Sequence, residues 1–312
     1  MADARLMPMS EGSNYNVYVP SIDFYANKIL NKDFFSYVKL SIEWWMLVIK
    51  GLPRCGIKLA EMARKKEQFI NKLSHEMIRA WEVQQRGARK YHCSADIVAR
   101  IIRMSISPKP LNFFLGVTDR CNVNHVTFPL PARGKNLVPI IRATLPQGEI
   151  PIHALPFRIW AVTGEINEFI NKIRHKNIVI VGPSHLANFG DKLNIKNFHF
   201  VEIHSYNAAL HVAKTKAQIK KLHSTFMSGH DDVTYFFIGG SVAMWLITEL
   251  HGELDNANLI DIGRAFDVYY FYDLAMKQYP NWMFGQWLNR RNTAWIKTKM
   301  SPDKNGAYRI NE

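Results

Sequence analysis

The segment Asp261-Ile-Gly-Arg-Ala-Phe-Asp267 brings two carboxylates and a guanidinium together just after the apolar run Asn258-Leu-Ile260. Asp261 falls on or beside the end of a predicted strand, and Asp267 about a turn and a half further on. A carboxylate so placed can take a proton from a hydroxyl. An arginine can grip a phosphate through two N–H groups at once. The expected roles are Asp261 or Asp267 as general base and Arg264 on phosphate. The plainer alternative is an Asp helix cap with a surface ion pair.

Two glycine turns stand upstream. Gly182-Pro-Ser-His185 follows the run Ile178-Val-Ile-Val181, and Gly239-Gly-Ser241 follows Val233-Thr-Tyr-Phe-Phe-Ile238. Glycine lets backbone approach a ligand closely, and a helix that starts there offers N–H groups to a phosphate. Glu202 ends a third run, Phe198-His-Phe-Val201. An acidic residue at that point holds a ribose hydroxyl in many doubly wound folds. Gly182, Ser184, His185, Glu202, Gly239 and Gly240 are therefore read as lining a bound cofactor. Neither GxGxxG nor GxxxxGK[ST] is present. Plain strand-to-helix turns, close helix–sheet packing and a solvated strand end account for the same residues.

These groups need a scaffold that delivers them to one place. The apolar runs at 177–182, 198–204, 233–238 and 258–262 alternate with segments compatible with helix, which predicts a parallel sheet wrapped by helices. Ligands bind such sheets beyond the carboxyl ends of the strands. Earlier in the chain, Phe34–Leu40 and Phe113–Val117 read as strands, while Ser41–Ile49 fits either a continued strand or a helix. Ile57–Gln85, Ala95–Met104 and Arg158–Lys172 read as helices. Met1–Pro20 reads as a polar arm, and Pro129–Pro156 as connecting loop with short extended pieces. The expected architecture is α/β: a doubly wound, mostly parallel sheet flanked by helices, with a helical N-terminal insertion. The expected division is a mixed part at 1–156 and a doubly wound, nucleotide-binding part at 157–312, unless the two share one sheet.

Composition narrows the class. Of 312 residues, 47% are hydrophobic, enough for a substantial core. Lys+Arg 40 against Asp+Glu 26 gives a net charge of +14, which favours a polyanionic partner. The three cysteines, Cys55, Cys93 and Cys121, have no CxxC spacing, so neither a disulfide framework nor a structural zinc site is expected. His153, His185 and His204 do not fall at metal-ligand spacing. The start lacks a signal peptide's apolar core, and no apolar run approaches the roughly 20 residues of a membrane span. A cytoplasmic protein is expected, in host cytoplasm if the source is viral.

The tail mixes aromatic and basic residues: Trp287, Arg290, Arg291, Trp295 and Lys297. Such a segment can stack bases and neutralise phosphates. It also fits a helix whose tryptophans pack inward. Lys214, Lys216, Lys220 and Lys221 form a second basic cluster on a predicted helix.

Taken in order, these pieces resemble glycosyltransferases of the GT-D fold class over most of Phe34–Asp267. Phe35-Ser-Tyr-Val-Lys-Leu-Ser-Ile-Glu43 is similar to the family's early strand, which ends in a basic residue and an Asp-x-Glu metal motif. Ile178–Pro183, Val201–Ala208, Phe237–Ala243 and Leu259–Asp267 are similar to its later strands and turns. The resemblance implies a nucleotide-sugar donor, UDP-sugars foremost, and a divalent Mn or Mg ion on the diphosphate. Ser41 stands where the motif has its first carboxylate. Glu43 alone would hold the metal, or Lys39 and Arg264 would serve without one. The charge and the tail favour DNA as acceptor, with a modified base extruded for attack; a protein or glycan acceptor is the other expectation. The competing readings are an S-adenosylmethionine-dependent methyltransferase using Gly182 and Glu202, and a non-catalytic nucleic-acid-binding protein on an enzyme fold.

Overall fold

The computed structural model describes residues 4–8, 15–40, 42–58, 61, 67–84, 94–117, 122–123, 126–127, 138–204, 208–229, 231–269, 300–302 and 308–310. In chain order the strands are β1 (Ala4–Pro8), β2 (Asn16–Pro20), β3 (Ser36–Leu40), β4 (Phe113–Val117), β5 (Asn122–Val123), β6 (Val126–Thr127), β7 (Ile152–His153), β8 (Asn177–Gly182), β9 (Phe198–Glu202), β10 (Val233–Phe237), β11 (Ala257–Asp261), β12 (Met300–Pro302) and β13 (Tyr308–Ile310). The helices are α1 (Ile22–Leu30), α2 (Ile42–Arg54), α3 (Glu67–Gln84), α4 (Ala95–Ile106), α5 (Val138–Thr144), α6 (Pro156–Thr163), α7 (Ile166–Ile173), α8 (Phe189–Lys192), α9 (Val212–Ser228) and α10 (Ser241–Leu250).

Nine strands form one sheet in the order β1-β2-β7-β4-β3-β11-β10-β8-β9. Every neighbouring pair is parallel except β1 with β2. The expected α/β fold is present. Strands from before Pro156 (β1, β2, β7, β4, β3) and after it (β11, β10, β8, β9) form adjacent halves of the same sheet, joined where β3, itself paired with β4, pairs with β11.

Near-continuous apolar runs make the central strands because both faces are covered. Val179, Val181, Tyr235, Phe237 and Leu259 face one core, with α2, α3, α4, α9 and α10. Ile178, Ile180, Phe236 and Ile260 face the other, with α1, α6 and α7. That alternation is what winding a sheet on both sides requires. Each such side chain contributes about 1.5–3 kcal/mol on burial. The inserted helices α2, α3 and α4 pack on one another, and α4 packs on α10. Among the described residues no helix is long and apolar enough to cross a membrane.

Several sequence expectations change. The polar arm contains the antiparallel pair β1–β2 at the sheet edge, and Val17 is fully buried there. Of the two alternatives open over 41–49, the described residues take helix: α2, whose Trp44 and Trp45 are buried on one side. Within 57–85, residues 57–58 are not helical and the described helix is α3, Glu67–Gln84; 59–60, 62–66 and 85 lie outside the described residues. The loop expected over 129–156 includes α5, anchored by Ile140 and Ile141. Pro139 does not break it, because first-turn N–H groups have no helical partner to lose. The single helix expected over 158–172 is two, α6 and α7. Gly164, left-handed at φ 83°, ends the first.

Candidate functional site

The parallel registers bring the strand ends level. Gly182 pairs with Glu202, and Phe237 pairs with both Val181 and Asp261. Leu40, the last residue of β3, lies beside Val117. Gly182, Glu202, the Gly239–Gly240 turn, Asp261 and Lys39 thus share the carboxyl rim of one sheet.

Asp261 is 1% exposed. Its Oδ1 accepts the Gly263 backbone N–H at 2.9 Å, and the Lys39 Nζ stands 3.9 Å away. Burial raises the Asp261 pKa, while Lys39 and the backbone N–H groups of Gly263 and Lys39 oppose that rise. Gly263 sits at φ +55°, in the left-handed region, and a Cβ there would fall on the Lys39 ammonium. The turn after β11 is therefore shaped around a lysine from the neighbouring strand.

A second polar group lies further along the same turn. Arg264 Nε donates to Asp267 Oδ2 at 2.5 Å, and His185 Nε2 is 3.7 Å from Asp267 Oδ1. The Asp267 side chain is 5% exposed, His185 34% and Arg264 62%. His185 follows β8 and Asp267 follows β11, so their contact bridges the end of β10. The turn is held from beneath. Phe266 stacks on Phe189 at 4.2 Å and meets Phe236 edge-on at 5.7 Å. The Tyr269 hydroxyl donates to Asn167 Oδ1.

The other glycines have packing neighbours. A Cβ on Gly182 would meet Ile238 Cβ at 3.1 Å, and one on Gly239 would meet Ile203 Cδ1 at 2.6 Å. Gly240, at φ +56°, precedes the first turn of α10, where no side chain caps the helix. Ser184 and Glu202 are exposed at the rim. His204 lies on the same side, its ring 4.4 Å from that of His211.

Glu43 is the second residue of α2, and Ser41 lies outside the described residues. The tail residues Trp287, Arg290, Arg291, Trp295 and Lys297 also lie outside them. The basic cluster on α9 is partly neutralised: Lys216 pairs with Glu249 and Glu253, and Lys220 with Glu253. Among the described residues no group of three His, Cys, Asp or Glu side chains is placed to hold a metal ion. Asp261, a buried carboxylate of the rim, already faces an ammonium. The described donor set does not fit the divalent ion that the Asp-x-Glu motif implies.

Two residues that support the site escaped sequence reasoning. Gly263 carried a signal, a glycine two residues past a strand-end Asp, but its purpose depends on a side chain from β3. Tyr37 carried none. It is fully buried, donates its hydroxyl to the His153 carbonyl at 3.1 Å, and lies over Gly116, whose Cβ would meet that oxygen at 2.8 Å. It ties β3 to β7 across β4.

No family model and no curated protein matches the chain. Among solved structures, the chain is similar to a glycosyltransferase (DUF1792) from Streptococcus sanguinis. The TM-score is 0.49 and the identity 12%, covering 83% of this chain and 85% of the other. It is similar, at the same score and identity, to the highly conserved domain of unknown function 1792 with a distinct glycosyltransferase fold and to a selenomethionine-substituted structure of that domain. Each match covers 83% of this chain and 82% of the other.

Proposed function

We propose that the protein transfers a glycosyl group from a nucleotide-sugar donor, with UDP-sugars the first candidates, to a hydroxyl acceptor. The observation that carries this reading is the Lys39 ammonium held at the carboxyl rim beside Asp261. A leaving nucleoside diphosphate gains negative charge as its bond to the sugar breaks, and a fixed cation stabilises that charge. Lys39 supplies it, and the exposed Arg264 guanidinium stands one turn away. The start of α10, opened by Gly240, offers backbone N–H groups to the same phosphates. Gly182, Ser184 and Glu202 would line the nucleoside.

The carboxylates divide by burial. Asp261, sealed beneath Lys39, anchors the cation. Asp267 orients His185, and together they accept the acceptor's proton as the new bond forms. Methyl transfer suits the rim less well. S-adenosylmethionine reacts through a cationic sulfonium, which neighbouring ammonium and guanidinium groups would repel.

The acceptor follows less directly. DNA remains in view because of the net charge of +14, and its binding would weaken steeply with salt. The test is a transfer assay with labelled UDP-sugars over DNA, peptide and oligosaccharide acceptors. Release of UDP that depends on His185 and Asp267 is expected. Asp267→Asn and His185→Ala should each lower kcat by about 10²–10⁴ with little change in donor affinity. A melt shifted by S-adenosylmethionine and not by any nucleotide would replace this reading with methyl transfer.

A further inference from the structure

We infer that nucleotide binding at this rim is independent of divalent metal, because the Lys39 ammonium takes the place an ion would occupy on the diphosphate. The inference rests on the nucleotide-sugar reading above. Its footing is three observations about the chain's own residues.

The first is the donor set. A divalent ion such as Mg or Mn is held by several oxygen ligands, with carboxylates supplying the charge. The chain has Ser41 and Glu43 where the motif of the resembling family has a carboxylate pair, so one anionic ligand is missing. Asp261 is committed elsewhere: its carboxylate takes the Gly263 N–H at 2.9 Å and faces the Lys39 ammonium. A cation bound at Asp261 would sit against a like charge.

The second is the seat made for the lysine. Gly263 has no Cβ where Lys39 Nζ lies, and its positive φ is one that residues with a side chain rarely adopt. Backbone conformation and missing side chain both reserve that space. An incidental surface lysine needs neither.

The third is the geometry of the ion pair. At 3.9 Å the ammonium is beyond hydrogen-bonding reach of Asp261 Oδ1. At that distance the carboxylate fixes the charge without itself accepting an N–H from the ammonium. The side chain is 18% exposed, so the ammonium meets the rim from a largely dry position. A fixed charge in such a position acts more strongly than one in bulk water.

The experiment is calorimetric titration of UDP into the full chain, once with excess EDTA and once with excess manganese. The expected dissociation constants agree within about threefold. Lys39→Met should weaken UDP binding in EDTA by about tenfold or more, and Lys39→Arg should recover part of it, since a planar guanidinium also binds phosphate. UDP binding that appears only with manganese, or tightens with it by more than about tenfold, overturns the inference. So does a folded Lys39→Met protein with wild-type affinity. If Lys39→Met does not fold, the wild-type comparison alone decides. Failure to bind UDP or any other nucleoside diphosphate under both conditions is a different result: it removes the nucleotide-sugar reading itself, and this inference with it.

Discussion

Two glycine turns leave the same rim and do different work. After β10, the space beside Gly239 is filled by Ile203 Cδ1, an apolar neighbour from beyond the next strand but one. After β11, the space beside Gly263 is filled by the Lys39 ammonium. Both positions reject a side chain, so both look alike as glycines at strand ends. What separates them is the neighbour. One turn lets a helix and a sheet close together, and the other gives a charge a fixed address.

Substitution should break this pairing in opposite ways. Gly263→Ala forces a left-handed residue and displaces Lys39. The expected loss is tenfold or more in UDP affinity, roughly the ~1.4 kcal/mol that a tenfold change represents, with a further ~1 kcal/mol or more of stability from backbone strain. Calorimetry and urea unfolding measure the two parts. Gly239→Ala overpacks an apolar contact, which costs about 1–3 kcal/mol. Its melting temperature should move further than its nucleotide affinity, the reverse of Gly263→Ala. If both variants change affinity and stability in the same proportion, the distinction is wrong.

The next effect sits on the far side of Tyr37. Burial pushes the His153 pKa down from 6.5 to about 4. The folded protein keeps this histidine neutral while the unfolded chain protonates it. The associated stability is fully present above about pH 6.5 and is lost as pH falls towards 4, by about 3 kcal/mol. His223 and His251, also lowered by burial, act in the same direction. Urea unfolding of His153→Asn across that window should show a shallower fall than the parent chain. An unchanged slope would mean that His153 is protonated in the folded state.

The smallest effect is expected on α9. Lys220 is half exposed and pairs with Glu253 at 3.4 Å. Lys220→Ala should change stability by no more than about 0.5–1 kcal/mol, as exposed ion pairs do. A larger loss would mean that this face is held by more than surface charge.

The sheet was legible because its evidence is local. Runs such as Ile178–Val181 and Tyr235–Phe237 are short, rich in β-branched or aromatic residues and bounded by glycine turns, which reads as strand covered on both faces, and their C-terminal glycines and acids mark the rim. The helix α2 was not legible. Over Ser41–Ile49 a short apolar run has no decisive period, and only the tertiary burial of Trp44 and Trp45 selects helix. The edge pair β1–β2 was hidden for a related reason: a hydrogen-bonding partner fixed it, not its own composition. Within the site, Asp261 and Asp267 were visible as residues but not as different residues. Burial and the reach of Lys39 from β3 separate them, and both depend on sequence-distant neighbours. The partial neutralisation of the α9 lysines likewise needs Glu249 and Glu253 from α10 and the turn that follows it.

The most direct measurement is a crystal structure with UDP bound. The account predicts diphosphate oxygens within about 3 Å of Lys39 Nζ, above the Gly263 turn, with the base lying towards Gly182 and Glu202. A nucleotide seated elsewhere, or one at the rim whose phosphates point away from Lys39, would contradict it.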